Sequence, residues 1–285
     1  VYGGVHAVNR DGKTQVLESL RRDLSRFESG RVRAPVVSLG AVDIDRRLSG
    51  GRGLSLAGLH EVVGTGYPDM AAAAGFAVAL GSLLQGHQGG ALLWVVQRCA
   101  AHDLGGLYGP GLAMLGIDPK RLVVVSARDD REALWVTEEA LRTPDLAGVV
   151  AELEGGRAYD LKASRRLQLA AEKFERPALL LAGHAGKAAS APSAALTRFR
   201  ISSAPSAPNS CVAAACGLTR FGVSLDRVRG GAPSHLILEW NHATGRFAVA
   251  TSVSRRAGVN TGGPRPEPAA QAARAGRYEA AALAS

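Results

Sequence analysis

Cysteine is scarce in this chain of 285 residues: Cys99, Cys211 and Cys216 are the only three, and no two form a CxxC pair. That excludes a disulfide framework and a thiolate zinc module, and it fits a reducing compartment. Long apolar runs are missing too. The longest, Met70 to Leu84, has 15 residues, is rich in Ala and Gly, and falls short of the roughly 20 that a membrane span requires. No N-terminal stretch combines a basic head, an apolar core and a small-residue cleavage site. The expectation is a soluble cytoplasmic protein without membrane contact. Lysine is nearly absent, confined to Lys13, Lys120, Lys162, Lys173 and Lys187.

What the chain does have is arginine and apolar mass. Lys and Arg number 34 against 25 Asp and Glu, a net charge of +9 carried mostly by Arg. Such a surplus suits nucleic acid or acidic protein partners, although biased genome composition produces the same excess. With 46% hydrophobic residues the chain can bury a core.

Three regions follow from the pattern. Residues 1–35 form an N-terminal segment in which Leu17, Leu20, Leu24 and Phe27 recur at helical spacing, an apolar stripe that fits docking on its own domain as well as a partner helix on another protein. Residues 36–256 carry the core domain. Residues 257–285 are rich in Gly, Pro, Ala and Arg without periodicity and are expected to be disordered. Within the core, apolar runs at Leu59–Val63, Ala91–Val96, Arg121–Val125, Gly148–Leu153 and Ala178–Ala182 alternate with helix-compatible stretches. Those are Asp69–Leu84, Leu104–Leu115, Asp130–Leu141 and Asp160–Glu175, with Asp69 and Asp130 as natural N-caps. Apolar strands alternating with helices predict an α/β fold, a mostly parallel sheet covered on both faces. Four later strands, Leu196–Ser203, Gly222–Arg229, His235–Trp240 and Gly245–Thr251, predict an antiparallel extension at one edge. Asn241 to Gly245 supplies a hairpin loop between the last two. Trp94 and Trp135 are expected in the core or packed on a helix face, and Trp240 in a buried strand.

The loop after the first core strand is where such sheets bind phosphate. Here it reads Gly64, Thr65, Gly66, Tyr67, Pro68, Asp69, Met70, Ala71. Against the GxxxxGK[ST] template, Asp69 stands for Gly, Met70 for Lys and Ala71 for the Mg²⁺-binding hydroxyl. The cation and the hydroxyl are gone, and a carboxylate is added where phosphate would sit. ATP hydrolysis is not expected, nor any metal or cofactor. Other short motifs fail as well. His60-Glu61 begins HExxH but Gly64 holds the second His position, and Gly53 to Ala57 lacks the final Gly of GxSxG. His102 and Asp103 are helix neighbours that do not face each other.

The stretch from Val37 to Leu48, then Gly58 to Gly64, resembles the start of the RecA-family recombinase core, and the likeness extends over roughly Val36 to Val249. More narrowly the chain resembles the ImuA family, RecA-like proteins of bacterial damage-inducible mutagenesis cassettes. Leu161 to Glu172 and Leu238 to Arg246 carry that likeness. The resemblance implies a RecA-like core in an adaptor of error-prone translesion synthesis. Its implied partners are ImuB, which is a Y-family-like protein, an error-prone replicative-type polymerase, and RecA. It also aligns Gln97 with the recombinases' catalytic Glu and Ala151 with their metal-associated Asp, Glu152 being one residue away. Arg157, Lys162, Arg165 and Arg166 then fall near a DNA-facing loop, and Lys187 near a second. The three on the helix equally fit a solvated face. Two alternatives remain at this level: a cell-division inhibitor similar to SulA, and an ATP-dependent DNA-binding enzyme with an atypical phosphate loop.

Overall fold

Short apolar runs that are buried on both sides can satisfy their backbones only by pairing with one another. A computed structural model shows how they do so, and it describes residues 34–97, 106–154, 157–182, 192–206, 217–229 and 233–250. A nine-stranded sheet forms the centre. Its strands are β3 (Leu59–Gly64), β4 (Ala91–Gln97), β5 (Leu122–Ala127), β6 (Leu146–Leu153), β7 (Ala178–Ala182), β8 (Thr197–Ala204), β9 (Arg220–Val228), β10 (Ser234–Asn241) and β11 (Arg246–Val249). They are ordered β11-β10-β9-β8-β3-β7-β6-β4-β5. From β8 to β5 the ladders are parallel, and β9, β10 and β11 continue antiparallel. The predicted plan holds, with one correction. β8, expected within the antiparallel extension, lies parallel to β3 and turns the sheet antiparallel only on its other side.

Helix α2 (Met70–Gln88), introduced by a 3₁₀ turn at Tyr67–Asp69, covers one face. It is long and apolar enough to cross a membrane by composition alone. Its place is the core, where Ala73, Phe76, Ala77, Leu80 and Leu84 are fully buried. Helices α4 (Asp130–Arg142) and α5 (Leu161–Phe174) cover the opposite face, packing around Leu59, Val95, Val149, Ala151 and Leu180. A two-stranded antiparallel sheet, β1 (Val36–Val37) with β2 (Leu54–Ser55), flanks the short helix α1 (Val42–Asp45). In the stretch predicted as helix from Leu104 to Leu115, residues 106–108 are not helical and helix α3 spans Gly109–Met114.

Aromatic residues are few, and most of the phenylalanines gather in one place. Phe76 of α2 meets Phe199, Phe221 and Phe247 at centroid distances of 5.3, 5.6 and 5.2 Å, and Trp240 stacks edge-on to Phe247 at 4.8 Å. Each such pair adds about 0.5–1.5 kcal/mol beyond burial, so this cluster fastens the antiparallel extension to the parallel core. Trp240 is buried as expected. The β10–β11 hairpin closes through Asn241, whose Oδ1 accepts the N–H groups of Ala243 and Thr244 at 3.0 and 3.1 Å. Gly245 sits in the turn at φ +59°, where a side chain would be strained.

Two expectations about α4 are corrected. Asp129 is its N-cap: its backbone is extended and its carboxylate accepts from Glu132 N at 2.9 Å. Asp130, inside the first turn, is buried and accepts from Gln97 Nε2 and Glu154 N instead. Trp94 is buried, but Trp135 is 59% exposed. The buried stripe of α4 runs through Ala133, Leu134, Thr137, Ala140 and Leu141, and position 135 falls on the other side of the wheel.

Candidate functional site

Parallel sheets place their binding loops at the carboxyl ends of the strands. Here the chain leaves β3 at Gly64 and reaches α2 through Thr65–Asp69. Gly64 is pressed from three sides. A Cβ there would lie 3.1 Å from Gly66 O, 3.2 Å from the Asp69 carbonyl carbon and 3.2 Å from Met70 Sδ. Thr65 N then donates to Ile201 O at 2.9 Å, which ties the loop to β8.

Asp69 occupies the first position before α2 yet makes no cap bond to that helix, which corrects the N-cap expectation. Its carboxylate looks into the loop. Oδ2 accepts the Thr65 hydroxyl, and Oδ1 accepts Ser203 N at 2.8 Å and Ser203 Oγ at 2.9 Å. The Thr65 hydroxyl and then the Ser203 N–H hold the Asp69 carboxyl below its ordinary pKa. The loop therefore carries its own anion, already bonded to donors that a bound phosphate would compete for. Met70 is buried, its thioether turned back against Gly64, and Ala71 presents only a methyl to solvent. No side chain at these two positions offers the cation or hydroxyl that a nucleotide and its metal need. The residues present do not fit a Mg²⁺–nucleotide.

Two further positions lie at the same end of the sheet, on opposite faces. Ala151 packs with α4 and α5, whereas Glu152 turns to the α2 face and accepts Trp94 Nε1 at 2.8 Å. Strand alternation thus puts the Glu152 carboxylate, and not the Ala151 methyl, on the loop's side of the sheet. Burial pushes its pKa up, partly countered by the Trp94 bond. Gln97 is buried on the α4 side, where Nε2 donates to Asp130 and to Glu152 O at 3.2 Å.

No protein-family model matches the chain. The proteins called ImuA in Caulobacter vibrioides strain NA1000 / CB15N and strain ATCC 19089 / CIP 103742 / CB 15 are each 41% identical to it over 227 residues. The alignment covers 76% of this chain and 88% of each relative. The chain belongs to the ImuA family.

In this ImuA-family chain the basic candidates are not gathered at the loop. Arg157 is exposed in the turn before α5, and Lys162, Arg165 and Arg166 are exposed on α5 itself, Arg166 bonded to Glu138 of α4. The three on α5 belong to the α4–α5 layer, on the face of the sheet opposite α2. Lys187 and the apolar stripe of Leu17, Leu20, Leu24 and Phe27 lie outside the described residues.

A buried polar network that no motif in the sequence announces lies in the same part of the sheet. Glu61 of β3 and Arg198 of β8 are register partners and form an ion pair at 2.5 Å, both almost fully buried. Tyr159 donates its hydroxyl to Glu61, and Arg198 Nη2 donates to Ser193 Oγ at 3.3 Å. Burial, then the Glu61 charge, push the Tyr159 pKa up, so the phenol stays a donor. The signal was present in the sequence: a charge inside each of two apolar strands requires a buried partner. The network clamps the β3–β8 seam directly beneath the loop.

Proposed function

We propose that this protein is a non-catalytic adaptor of error-prone translesion synthesis in the SOS response to DNA damage. In this reading a RecA-like core has kept its sheet as a docking scaffold and given up its nucleotide. It binds ImuB in the cytoplasm, and through that assembly meets the error-prone replicative-type polymerase and RecA. The observation that carries the reading is Asp69, held by Thr65 and Ser203 where the loop would otherwise receive phosphate. Family membership supports the pathway and the ImuB partnership.

A pulldown of the purified chain with ImuB and with RecA, with and without DNA, tests it. The expected result is ImuB retained without nucleotide and without DNA. Failure to retain ImuB refutes the reading, and ATP turnover refutes its non-catalytic part.

One observation favours a second reading, an ATP-dependent DNA-binding enzyme. Glu152 places a carboxylate on the loop's face of the sheet. Its bond to Trp94 in the buried layer beneath α2 favours a packing role. Hydrolysis assayed with single-stranded DNA at two salt concentrations separates the two readings.

A further inference from the structure

Helices α4 and α5 lie side by side on the face opposite α2. Between them opens a cavity of about 410 Å³. Its apolar lining is Leu169, Ala170 and Phe174, and its rim carries Arg142, Arg166 and Lys173. Leu169 is 47% exposed, and Trp135, one turn before Glu138 on α4, is 59% exposed. Large apolar side chains left in water beside a concave lining mark an interaction surface.

The charge says what kind of surface it is. In the lining, Glu138 alone faces three cations. It binds Arg142 Nη2 at 3.3 Å and Arg166 Nε at 3.1 Å, Glu139 beside the lining takes Arg142 Nη1 at 3.4 Å, and Lys173 is left as the cation these two carboxylates do not bind. Lys162 and Arg165, both exposed, lie one turn before Arg166 and Leu169 and extend the positive ridge along α5. A helix laid between two helices presents residues at i, i+3, i+4 and i+7 to such a groove and its other residues to the rim.

We propose that the α4–α5 groove docks an acidic amphipathic helix of a partner protein. Its apolar side chains cover Leu169 and Phe174, and its carboxylates meet Lys173, Arg166 and Arg142. A nucleic acid is the poorer occupant, because Glu138 stands among the cations of the lining and would face the phosphates. The proposal rests on the adaptor reading and gives that reading a surface and a partner chemistry.

The test uses the full chain and a fluorescent helical peptide with leucines at i, i+3, i+4 and i+7 and glutamates elsewhere. The same peptide with lysines for glutamates and a single-stranded oligonucleotide serve as comparisons. Saturable binding of the acidic peptide alone is expected, weakened about tenfold or more by Leu169→Glu and severalfold by Lys173→Glu. Both positions are exposed, so the melting temperature should stay unchanged. Equal affinity for both peptides, affinity for neither, or indifference to Leu169→Glu overturns the groove. Oligonucleotide binding lost in Lys173→Glu assigns the surface to nucleic acid and overturns it too. ImuB retained undiminished by the Leu169→Glu chain overturns the groove while leaving the adaptor reading intact. ImuB not retained by the parent chain refutes the adaptor reading itself, and peptide binding still decides the groove.

Discussion

His60 sets an acid limit on this fold. The imidazole is fully buried in β3, where Nε2–H donates to Ser55 O at 2.8 Å and Nδ1 has no partner among the described residues. Burial lowers its pKa from 6.5 to about 4, with the Ser55 bond opposing. Folded protein therefore keeps the ring neutral over a range in which the unfolded chain takes up a proton. The sign follows: stability is complete above pH 6.5 and falls as pH drops toward 4. The gap is equivalent to about 3 kcal/mol in full, and about 2 kcal/mol is lost by pH 5. Other carboxylates titrate in the same range, so a difference measurement is required. Urea unfolding of the parent and of His60→Gln, which keeps a donor toward Ser55 and cannot ionise, isolates the imidazole. The parent's advantage over His60→Gln should shrink by about 2 kcal/mol between pH 7.5 and 5. A difference that stays constant with pH would show that the His60 ring does not control the acid limit.

Arg198→Met should destabilise by about 3–5 kcal/mol, because it strands the Glu61 carboxylate in the core; adding Glu61→Leu should recover much of the loss. Thermal melts of the two variants check this. Glu152→Gln should raise stability above the carboxylate range and leave it unchanged in acid, because a raised carboxyl pKa means stability falls as pH rises; melts at pH 4 and pH 8 decide it. Asp69→Ala should cost about 1 kcal/mol at neutral pH after allowing for solvent at this open site, with the difference vanishing as pH falls below the carboxylate range. Urea titrations at both ends of that range test it. Phe76→Ala should cost about 3–5 kcal/mol and loosen the hairpin strands first, read by hydrogen exchange at β10 and β11.

Buried parallel strands announce themselves because both faces are apolar, and β7 runs from Ala178 to Ala182 as the sequence pattern predicts. Two-residue strands such as β1 and β2 are too short to show a period, so that small sheet was not legible. Nor was the pairing of β8, since parallel and antiparallel neighbours can demand the same apolar alternation. At the loop, the missing cation and hydroxyl could be read from residue types alone. The partner that fixes Asp69 could not: Ser203 is 134 residues away and arrives only because β8 lies beside β3. The face occupied by Glu152 depended on a register that one residue reverses. Trp135 looked like packing because size alone does not reveal which side of a helix the core lies on.

The central claim is that the loop from Gly64 to Ala71 is closed to nucleotide by its own carboxylate. Calorimetric titration of the full chain with Mg²⁺–ATP tests it most directly. No saturable heat and no change in melting temperature are expected. A saturable, magnesium-dependent isotherm for the parent chain that Gly64→Val abolishes and Asp69→Gly leaves unchanged would contradict it.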